Sequence, residues 1–302
     1  MIYTLTLNPS IDYVFSVDNF MVGCTNRTFD EHIYPGGKGI NISRMLNNLN
    51  VDSVALGFLS GFTGEKILND LNNEGIKSDF VFLDKGHTRI NLKFKNYDGT
   101  EINGLGPKIC DEDLKEIWCK FNQLQNGDIV FLSGSIPNGL QQNLYSQIMK
   151  KYSEKDIRFI VDATKDSLMD TLQYRPYLIK PNKDELSEIF DVSITTKEQA
   201  VYYAKILKEK GALNVLVSLG SKGAVFVCCD GNIYMSNAPK GNLINSVGSG
   251  DSMLAGFISA VLQNYSYKNA FLYSVACGSA TAFSEGFATF DEVHDIYKEL
   301  MP

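Results

Sequence analysis

A short run of small residues near the C-terminal end brings two glycines and one carboxylate together, in the order Asn245-Ser246-Val247-Gly248-Ser249-Gly250-Asp251. Gly248 and Gly250 have no Cβ atoms, so successive backbone N–H groups in this loop can turn toward one bound anion. The apolar residues that follow recur at helical spacing, which predicts that the loop begins a helix. Because the N-terminus of a helix carries partial positive charge, the motif is suited to holding a phosphate group.

The one carboxylate in this motif, Asp251, lies in the first turn of the predicted helix. There it can accept a proton from an attacking hydroxyl group while the loop amides stabilise charge on a transferred phosphoryl group. The arrangement therefore indicates phosphoryl transfer. The same residues also fit a tight loop with a favourable first-turn acid, and the motif by itself leaves both interpretations open.

A second glycine-rich segment, Pro35-Gly36-Gly37-Lys38-Gly39-Ile40-Asn41, precedes another predicted helix nearer the N-terminus. Its glycines allow the backbone to approach a ligand closely. The spacing matches neither a P-loop nor a dinucleotide-binding fingerprint, so those two kinds of nucleotide site are disfavoured.

Two further sets of polar residues are candidates for a site. Asp12 follows the first predicted strand, where open α/β sheets bind ligands, and its carboxylate can hold sugar hydroxyls or simply serve a turn. Asn182 and Glu185 are three residues apart at the start of a predicted helix. They can act as reciprocal caps or as ligands near a hydrated Mg²⁺ ion.

The composition is typical of a globular protein with a packed core, since 44% of the 302 residues are hydrophobic and 21% are charged. The formal net charge of −7 and the lack of a long basic run argue against a nucleic-acid partner. An anionic substrate would need a few positioned cations, and the candidates are Arg27, Lys38 and Arg89.

The cysteines and the apolar segments bear on the cellular compartment. The six cysteines include no C-x-x-C pair and are accompanied by only three histidines, which disfavours a zinc site. The sequence does not open on a signal peptide, and no apolar segment reaches the ~18 residues of a membrane span. We expect a cytoplasmic protein with no membrane partner.

Strand and helix patterns alternate along the chain, which predicts one domain over residues 1–302 with helices on both faces of a mostly parallel sheet. The predicted strands of this sheet lie at 1–8, 54–59, 128–132, 157–162, 177–179 and 214–219. Short β segments within about 13–34 and 88–104, the second with a hairpin turn at Asp98-Gly99, are expected to form a lid.

Together, and in this order, the two glycine-rich motifs resemble the signatures of the ribokinase-like sugar kinases of the phosphofructokinase B superfamily. The resemblance extends along the whole chain, because Lys180-Pro181-Asn182-x-x-Glu185 and Ser218-Leu219-Gly220-x-x-Gly223 occupy the intermediate positions of that superfamily. It implies a three-layer α/β/α domain with a small β-sheet lid, and ATP and Mg²⁺ as cofactors. Lids in this superfamily commonly pair between subunits, which implies a homodimer in which Arg27 reaches the neighbouring active site.

The resemblance also implies a role for each matching residue. Asp251 would be the catalytic base, and Gly248, Ser249 and Gly250 would form the anion hole, in which alanine is more usual than Ser249. Glu185 would organise Mg²⁺ through water. The implied sugar-phosphate site consists of Asp12, Arg27, Gly37, Lys38, Asn41, Arg89 and Ser135, and the implied nucleotide site of Lys180, Asn182, Ser218, Gly220, Gly223 and Gly250.

Within the superfamily, several segments are most similar to bacterial 1-phosphofructokinases, with tagatose-6-phosphate kinases next. These segments are Asn8 to Asp12, Asn26 to Thr28, Thr88 to Asn91 and Thr100 to Gly104. The resemblance implies ATP-dependent phosphorylation of fructose 1-phosphate at O6, with tagatose 6-phosphate as the alternative substrate. A non-catalytic sugar-phosphate sensor is the alternative from another class, and the retention of all the chemistry-bearing motifs disfavours it.

Overall fold

The computed structural model describes residues 1–97, 100–137 and 139–301. Their strands are β1 (Ile2–Thr6), β2 (Ser10–Val17), β3 (Thr28–Gly36), β4 (Val54–Ser60), β5 (Lys77–Ser78), β6 (Val81–Leu83), β7 (Arg89–Phe94), β8 (Glu101–Asn103), β9 (Ile129–Ser133), β10 (Arg158–Asp162), β11 (Leu178–Ile179), β12 (Asn214–Ser218), β13 (Ala224–Val227) and β14 (Ile233–Ser236). Their α-helices are α1 (Lys38–Asn48), α2 (Gly61–Asn73), α3 (Asp111–Phe121), α4 (Leu144–Lys151), α5 (Lys165–Thr171), α6 (Lys183–Phe190), α7 (Lys197–Glu209), α8 (Ser249–Leu262), α9 (Tyr267–Ala282) and α10 (Phe290–Leu300).

The larger sheet has the order β14-β13-β12-β11-β10-β9-β1-β4-β5, with β6 also paired to β4. Every neighbouring pair from β12 to β5 is parallel, and β13 and β14 add an antiparallel hairpin at one edge. The prediction of a mostly parallel sheet in an α/β domain is therefore confirmed.

Alternate residues of the central strands enter two separate hydrophobic cores, because side chains of a strand point to opposite faces. In β9, Val130 and Leu132 pack in the core that contains helices α3 to α7, whereas Ile129 and Phe131 pack against α1, α8, α9 and α10. Strands buried on both faces need nearly continuous apolar sequences, and this explains why they stand out in the sequence.

The smaller sheet has the order β3-β2-β7-β8 and contains the segments predicted as a lid. Its register pairs Tyr34, Asp12, Asn91 and Asn103 in one row of neighbours, and Ile33, Tyr13, Leu92 and Ile102 in the adjacent row. Adjacent rows point to opposite faces, so one face is polar and the other apolar. The predicted hairpin turn at Asp98-Gly99 lies outside the described residues.

One expectation needs correction, and one helix was not predicted. Asp12 lies inside β2 and not in the loop after β1, because a new strand begins at Ser10 immediately after the Asn8-Pro9 turn. Helix α10 was not predicted, although Thr289 and Glu292 form a capping box at its start and Val293 and Tyr297 bury its apolar face. Among the described residues, no helix is both long enough and apolar enough to pass through a membrane.

Candidate active site

The carboxyl ends of the parallel strands meet at one edge of the larger sheet. The register places Thr6 beside Ser133 and Ser133 beside Asp162 at three neighbouring strand ends. Farther along the same edge, Asn182 forms a parallel bridge with Ser218, the last residue of β12. Open α/β sheets bind their ligands at this edge, so the fold gathers residues that are far apart in the sequence.

A cavity of about 410 Å³ lies between this edge and the polar face of the smaller sheet. It brings together most of the residues that the sequence predicted for catalysis and sugar binding, together with the residue predicted for Mg²⁺. Those that line it are Asp12, Gly37, Lys38, Asn41, Arg89, Ser135, Glu185, Gly248 and Asp251.

The start of α8 has the geometry of an anion site. Gly248 caps the helix with a left-handed backbone (φ 79°), and its carbonyl accepts the first i to i−4 hydrogen bond from the Ser252 N–H at 2.8 Å. The amides of Gly250 and Asp251 precede that bond and are directed out of the helix end. The predicted contribution of Ser249 is weakened, because both its N–H and its hydroxyl donate to the Ser246 carbonyl.

Asp251 is buried at this helix start and contacts the second glycine-rich motif directly. The Asn41 side-chain N–H donates to Asp251 Oδ2 at 2.8 Å. Burial, and secondly the negative charge of Asp162, raise the pKa of Asp251 to about 6, while Lys38, Lys180 and the Asn41 hydrogen bond act in the opposite direction. A carboxylate with a pKa close to physiological pH is well matched to general-base catalysis.

Lys38, the first residue of α1, is held by two carboxylates. Its Nζ lies 2.9 Å from Asp162 Oδ1 and 3.4 Å from Glu185 Oε1. Burial disfavours the charged form, but Asp162, Glu185 and Asp251 together outweigh burial and raise the pKa of Lys38 above its ordinary value. Sequence reasoning missed Asp162; the available signal was its position at the end of a buried strand, directly before a helix.

Asn182 and Glu185 form a reciprocal cap at the start of α6. Asn182 Oδ1 accepts hydrogen bonds from the N–H groups of Asp184 and Glu185, and Glu185 Oε2 accepts one from the Asn182 N–H, all at 2.8 Å. The capping interpretation is therefore confirmed. The other carboxylate oxygen of Glu185 faces Lys38 at the cavity.

The same carboxylate oxygen can also contact a hydrated cation. Within the described ranges, no three or more His, Cys, Asp or Glu side chains are grouped so that they could hold a metal ion. Mg²⁺ keeps several waters and is usually bound through one or two carboxylates together with substrate phosphates. Glu185, half-buried at the rim of the cavity, fits that pattern.

On the opposite wall, the carboxylate of Asp12 is fixed by three donors. Ser10 Oγ and Asn91 Nδ2 donate to Asp12 Oδ1 at 2.7 and 3.0 Å, and Lys93 Nζ lies 2.8 Å from Oδ2. A Cβ atom on Gly36 would lie 2.5 Å from the Asp12 carboxylate carbon, so this position requires glycine. Ser10, Asn91 and Lys93 also line the cavity and were missed.

Arg89, Asn91 and Lys93 alternate along β7 and therefore share its cavity face. This alternation was the signal that could have identified Asn91 and Lys93 once Arg89 had been chosen. The guanidinium of Arg89 is partly anchored, because its Nε donates to the Asn8 carbonyl at 3.1 Å. Burial lowers the pKa of Arg89, and the charges of Asp12 and Glu101 oppose that shift.

Arg27 is exposed and does not line the cavity of its own chain. The reason is the register of the β2–β3 hairpin, which pairs Ser10 with Gly36 at the cavity end and Val17 with Thr28 at the far end. Arg27 adjoins Thr28 and is therefore displaced from the site along the length of the hairpin. Arg27 is therefore out of reach of the cavity of its own chain, and its contact with substrate in a neighbouring chain stays a prediction.

The residues predicted for the nucleotide lie outside this cavity, along the neighbouring strand ends. Lys180 follows β11, and a Cβ on Gly250 would lie 3.1 Å from its Nζ. Ser218 ends β12, and Gly220 begins the turn after it. Gly223 has a left-handed backbone, and a Cβ there would lie 2.1 Å from the Ser236 carbonyl oxygen, which is a packing reason for glycine. Their contact with a nucleotide stays a prediction.

Comparisons with known proteins identify the family to which the whole chain is similar. A family model described as pfkB family carbohydrate kinase matches residues 5–293. The chain is 46% identical over 300 residues to the 1-phosphofructokinase of Bacillus subtilis, with 99% of this chain and 98% of the relative covered. It is 38% identical to a D-tagatose-1-phosphate kinase of Bacillus licheniformis, with 95% and 94% covered. A crystal structure of Escherichia coli phosphofructokinase-2, in complex with substrates and products, superposes with a TM-score of 0.92 at 28% identity, with 99% of each chain covered.

Proposed function

The chain belongs to the pfkB family of carbohydrate kinases, and we propose that it transfers the γ-phosphoryl group of ATP to O6 of fructose 1-phosphate, giving fructose 1,6-bisphosphate. The class of reaction, ATP-dependent phosphorylation of a sugar phosphate, follows from the family and the full-length relatives. The choice of fructose 1-phosphate is supported by the 46% identity to a relative of that activity.

The observation that carries the proposal is the 2.8 Å hydrogen bond between Asn41 and Asp251. It joins the two glycine-rich motifs at one cavity, so that a base, an anion-binding helix end and a polar sugar wall face the same space. A non-catalytic sensor would need the sugar wall but would have no use for a buried carboxylate with a raised pKa beside an anion site.

In this reaction Asp251 accepts the proton of the O6 hydroxyl as that oxygen attacks the γ-phosphorus in line. The bond between the γ-phosphorus and the β,γ-bridging oxygen breaks, and ADP leaves. The amides at the start of α8 stabilise the charge that develops on the transferred group. The Nζ of Lys180 lies next to Gly250, where it would contact the phosphates of the nucleotide. Asp12, held by Ser10, Asn91 and Lys93, accepts hydrogen bonds from the sugar hydroxyls.

Glu185, and Asn182 beside it, would hold Mg²⁺ through water at the rim of the cavity. The ion supplies positive charge to the ATP phosphates. The protein's own part is to keep the Glu185 carboxylate fixed, which the reciprocal cap with Asn182 does.

The 1-phosphate of the sugar would lie at the end of the cavity farthest from the anion loop, against the smaller sheet. Arg89 and Lys93 line the cavity from β7 of that sheet. Lys93 is paired with Asp12, so Arg89 is the residue that would supply positive charge to the phosphate. A guanidinium binds phosphate with two parallel hydrogen bonds, so Arg89 would position the phosphate and thereby present O6 to Asp251.

The experiment that tests the proposal is a panel of four acceptors with ATP and Mg²⁺: fructose 1-phosphate, tagatose 1-phosphate, tagatose 6-phosphate and fructose 6-phosphate. We expect the highest kcat/KM with fructose 1-phosphate and a product that carries phosphate on C1 and C6 by ³¹P NMR. A higher kcat/KM with any of the other three acceptors would reject the assignment, and no turnover with all four would reject the kinase itself.

Tagatose phosphates are the second candidate substrates. Tagatose 1-phosphate differs from fructose 1-phosphate only in configuration at C4, and a relative of that activity is 38% identical to this chain. Tagatose 6-phosphate, the alternative suggested by the sequence, would have to bind in the reverse orientation with its phosphate at the same cationic end. A site that hydrogen-bonds one hydroxyl in a fixed position discriminates strongly against an analogue that leaves the partner unpaired.

We also propose that the smaller sheet closes over the cavity as a lid and that two chains pair through its apolar face. The polar row of the sheet faces the cavity, whereas Ile33, Ile90 and Ile102 on the other side are 50%, 42% and 56% exposed. A contiguous apolar surface of this kind favours a partner, and a second copy presents the same surface. Pairing between lids would also bring Arg27 of one chain toward its partner.

A cytoplasmic location is proposed as well. All six cysteines carry free thiols, which persist in a reducing compartment. ATP and sugar phosphates as substrates fit the same compartment.

A further inference from the structure

Asp162 is the last residue of β10, and its carboxylate is buried at the carboxyl edge of the larger sheet, with 1% of the side chain exposed. A buried carboxylate is unfavourable unless positive charges or hydrogen-bond donors compensate for its lost hydration. The groups that compensate for Asp162 therefore indicate what it does.

Two lysines from separate elements share this carboxylate. Oδ1 lies 2.9 Å from the Nζ of Lys38, at the start of α1, and Oδ2 lies 3.4 Å from the Nζ of Lys180, which follows β11. Lys180 is itself buried, with 4% of its side chain exposed, so its charge would be poorly compensated without Asp162. One side chain thus sets the positions of two ammonium groups.

These two ammonium groups flank the start of α8. Lys38 lines the sugar cavity together with Asp251, and Lys180 Nζ lies 3.1 Å from where a Cβ on Gly250 would stand. Lys38 also contacts the Glu185 carboxylate, so two ammonium groups are matched by two carboxylates, and what matters for catalysis is where the ammonium groups lie. Held beside the helix end, they can stabilise the negative charge of a phosphoryl group in transit.

We propose that Asp162 is a positioning residue for phosphoryl transfer, which holds the ammonium groups of Lys38 and Lys180 on the two sides of the anion loop so that both face the transferred group. This inference rests on the proposed kinase reaction but not on the identity of the sugar phosphate. Asp162 acts through the lysines and does not itself touch the reacting atoms.

The substitution Asp162→Asn tests the inference, because it preserves shape and removes charge. We expect kcat to fall by ~10²-fold as the ammonium groups lose their common anchor. We also expect the acid limb of the kcat/KM profile to move toward lower pH, by on the order of one unit. The reason is that the Asp162 charge helps to keep Asp251 protonated, whereas the other groups facing Asp251 (Lys38, Lys180 and the Asn41 amide), which lower its pKa, are still present in the variant.

The sugar phosphate also titrates near pH 6, since the second ionisation of a phosphate monoester lies there. Wild type and variant are therefore compared on the same acceptor, so that the contribution of the substrate cancels. The matched control is Asp128→Asn at the opposite end of the sheet, where a buried aspartate pairs with the N-terminal amino group at 2.7 Å. The control should lose stability and keep both kcat and the acid limb of wild type.

A second variant, Asp162→Glu, keeps the charge and displaces it by one methylene. It should retain the acid limb of wild type and lower kcat, because the ammonium groups are moved. If Asp162→Asn does not fold, a wild-type kcat for Asp162→Glu overturns the inference, and a lowered kcat with an unmoved limb supports it.

For a folded Asp162→Asn, an unchanged kcat overturns the inference. A lowered kcat with an acid limb at the pH of wild type also overturns it, because that result is expected of a residue with only a structural role. A wild-type protein that phosphorylates none of the four acceptors would reject the proposed function and the inference with it, whereas an active wild type with an unaltered variant rejects the inference alone.

Discussion

Asp251 illustrates a conflict between function and stability at a single residue. Its pKa is raised to about 6, chiefly by burial, whereas an aspartate in an unfolded chain titrates near 3.8. The folded state therefore binds this proton more tightly than the unfolded state does. It follows that the carboxylate contributes a destabilisation that sets in as pH rises from about 4 to about 6 and persists above that range.

The substitution Asp251→Asn should consequently inactivate and stabilise the protein together. We expect kcat to fall by ~10²-fold or more because the base is lost. We expect the free energy of unfolding at pH 7 to rise by on the order of 1 kcal/mol because the buried charge is removed. Kinetic assays and urea unfolding at pH 7 and pH 4 measure both effects. The stability gain should vanish at pH 4, and full turnover in the variant would exclude Asp251 as the base.

Arg89 offers a second prediction at the residue scale, since it lines the cavity from β7 of the smaller sheet. Arg89→Ala should raise KM for the sugar phosphate by ~10- to 10²-fold, because a charge-assisted contact to phosphate is lost, and should leave KM for ATP nearly unchanged. The control is Arg158→Ala, at the amino edge of the sheet against Tyr177. If Arg89→Ala and wild type have equal KM values for the sugar phosphate, Arg89 does not bind the substrate.

At the scale of elements, the start of α6 combines a capping role with the proposed Mg²⁺ role. The two roles can be separated because glutamine can replace glutamate in a capping box. Glu185→Gln retains an oxygen that accepts the hydrogen bond from the Asn182 N–H but carries no charge.

Glu185→Gln should therefore leave the thermal midpoint nearly unchanged and raise the Mg²⁺ concentration needed for half-maximal activity. Glu185→Ala should do the same to Mg²⁺ dependence and also cost ~1 kcal/mol of stability through the lost cap. The matched control is Glu292→Gln in the equivalent capping box of α10, which is remote from the cavity. If Glu185→Gln has the same Mg²⁺ requirement as wild type, Glu185 caps the helix and has no role in Mg²⁺ binding.

At the scale of the whole molecule, the smaller sheet presents opposite faces to the cavity and to solvent. The alternation Arg89-Ile90-Asn91-Leu92-Lys93-Phe94 in β7 creates both faces at once. A change on the apolar face can therefore test the proposed pairing of two chains without altering the residues that line the cavity.

Ile102→Asp should convert a dimer into monomers, because it places a charge on the apolar surface that a second copy would cover. Sedimentation velocity over a range of protein concentrations measures the change. Tyr202→Asp, at an exposed aromatic residue on α7, is the control and should leave the oligomeric state of wild type intact. If wild type itself sediments as a monomer at all concentrations, the proposed pairing is wrong.

The sequence by itself determined the features that depend on local patterns. Strands buried on both faces have nearly continuous apolar sequences. The glycine-rich starts of α1 and α8 are recognisable because only glycine allows their backbone geometry and close approaches. The α/β class, the mostly parallel sheet, the reciprocal cap at Asn182 and the residues of the two motifs could therefore be predicted. The resemblance to a kinase superfamily added the roles of those residues.

Only the tertiary structure decided which side chains meet. Asp162 belongs to no glycine-rich motif and is marked in the sequence only by its position at the end of a buried strand. Its importance appears when parallel register brings the strand ends together beside Lys38 and Lys180. In the same way, the register of the β2–β3 hairpin places Arg27 far from the cavity. The alternation of side chains along β7 places Asn91 and Lys93 in the cavity lining. Such contacts join residues distant in the chain, and their geometry is set by the register and packing of whole sheets, which no local stretch of sequence contains.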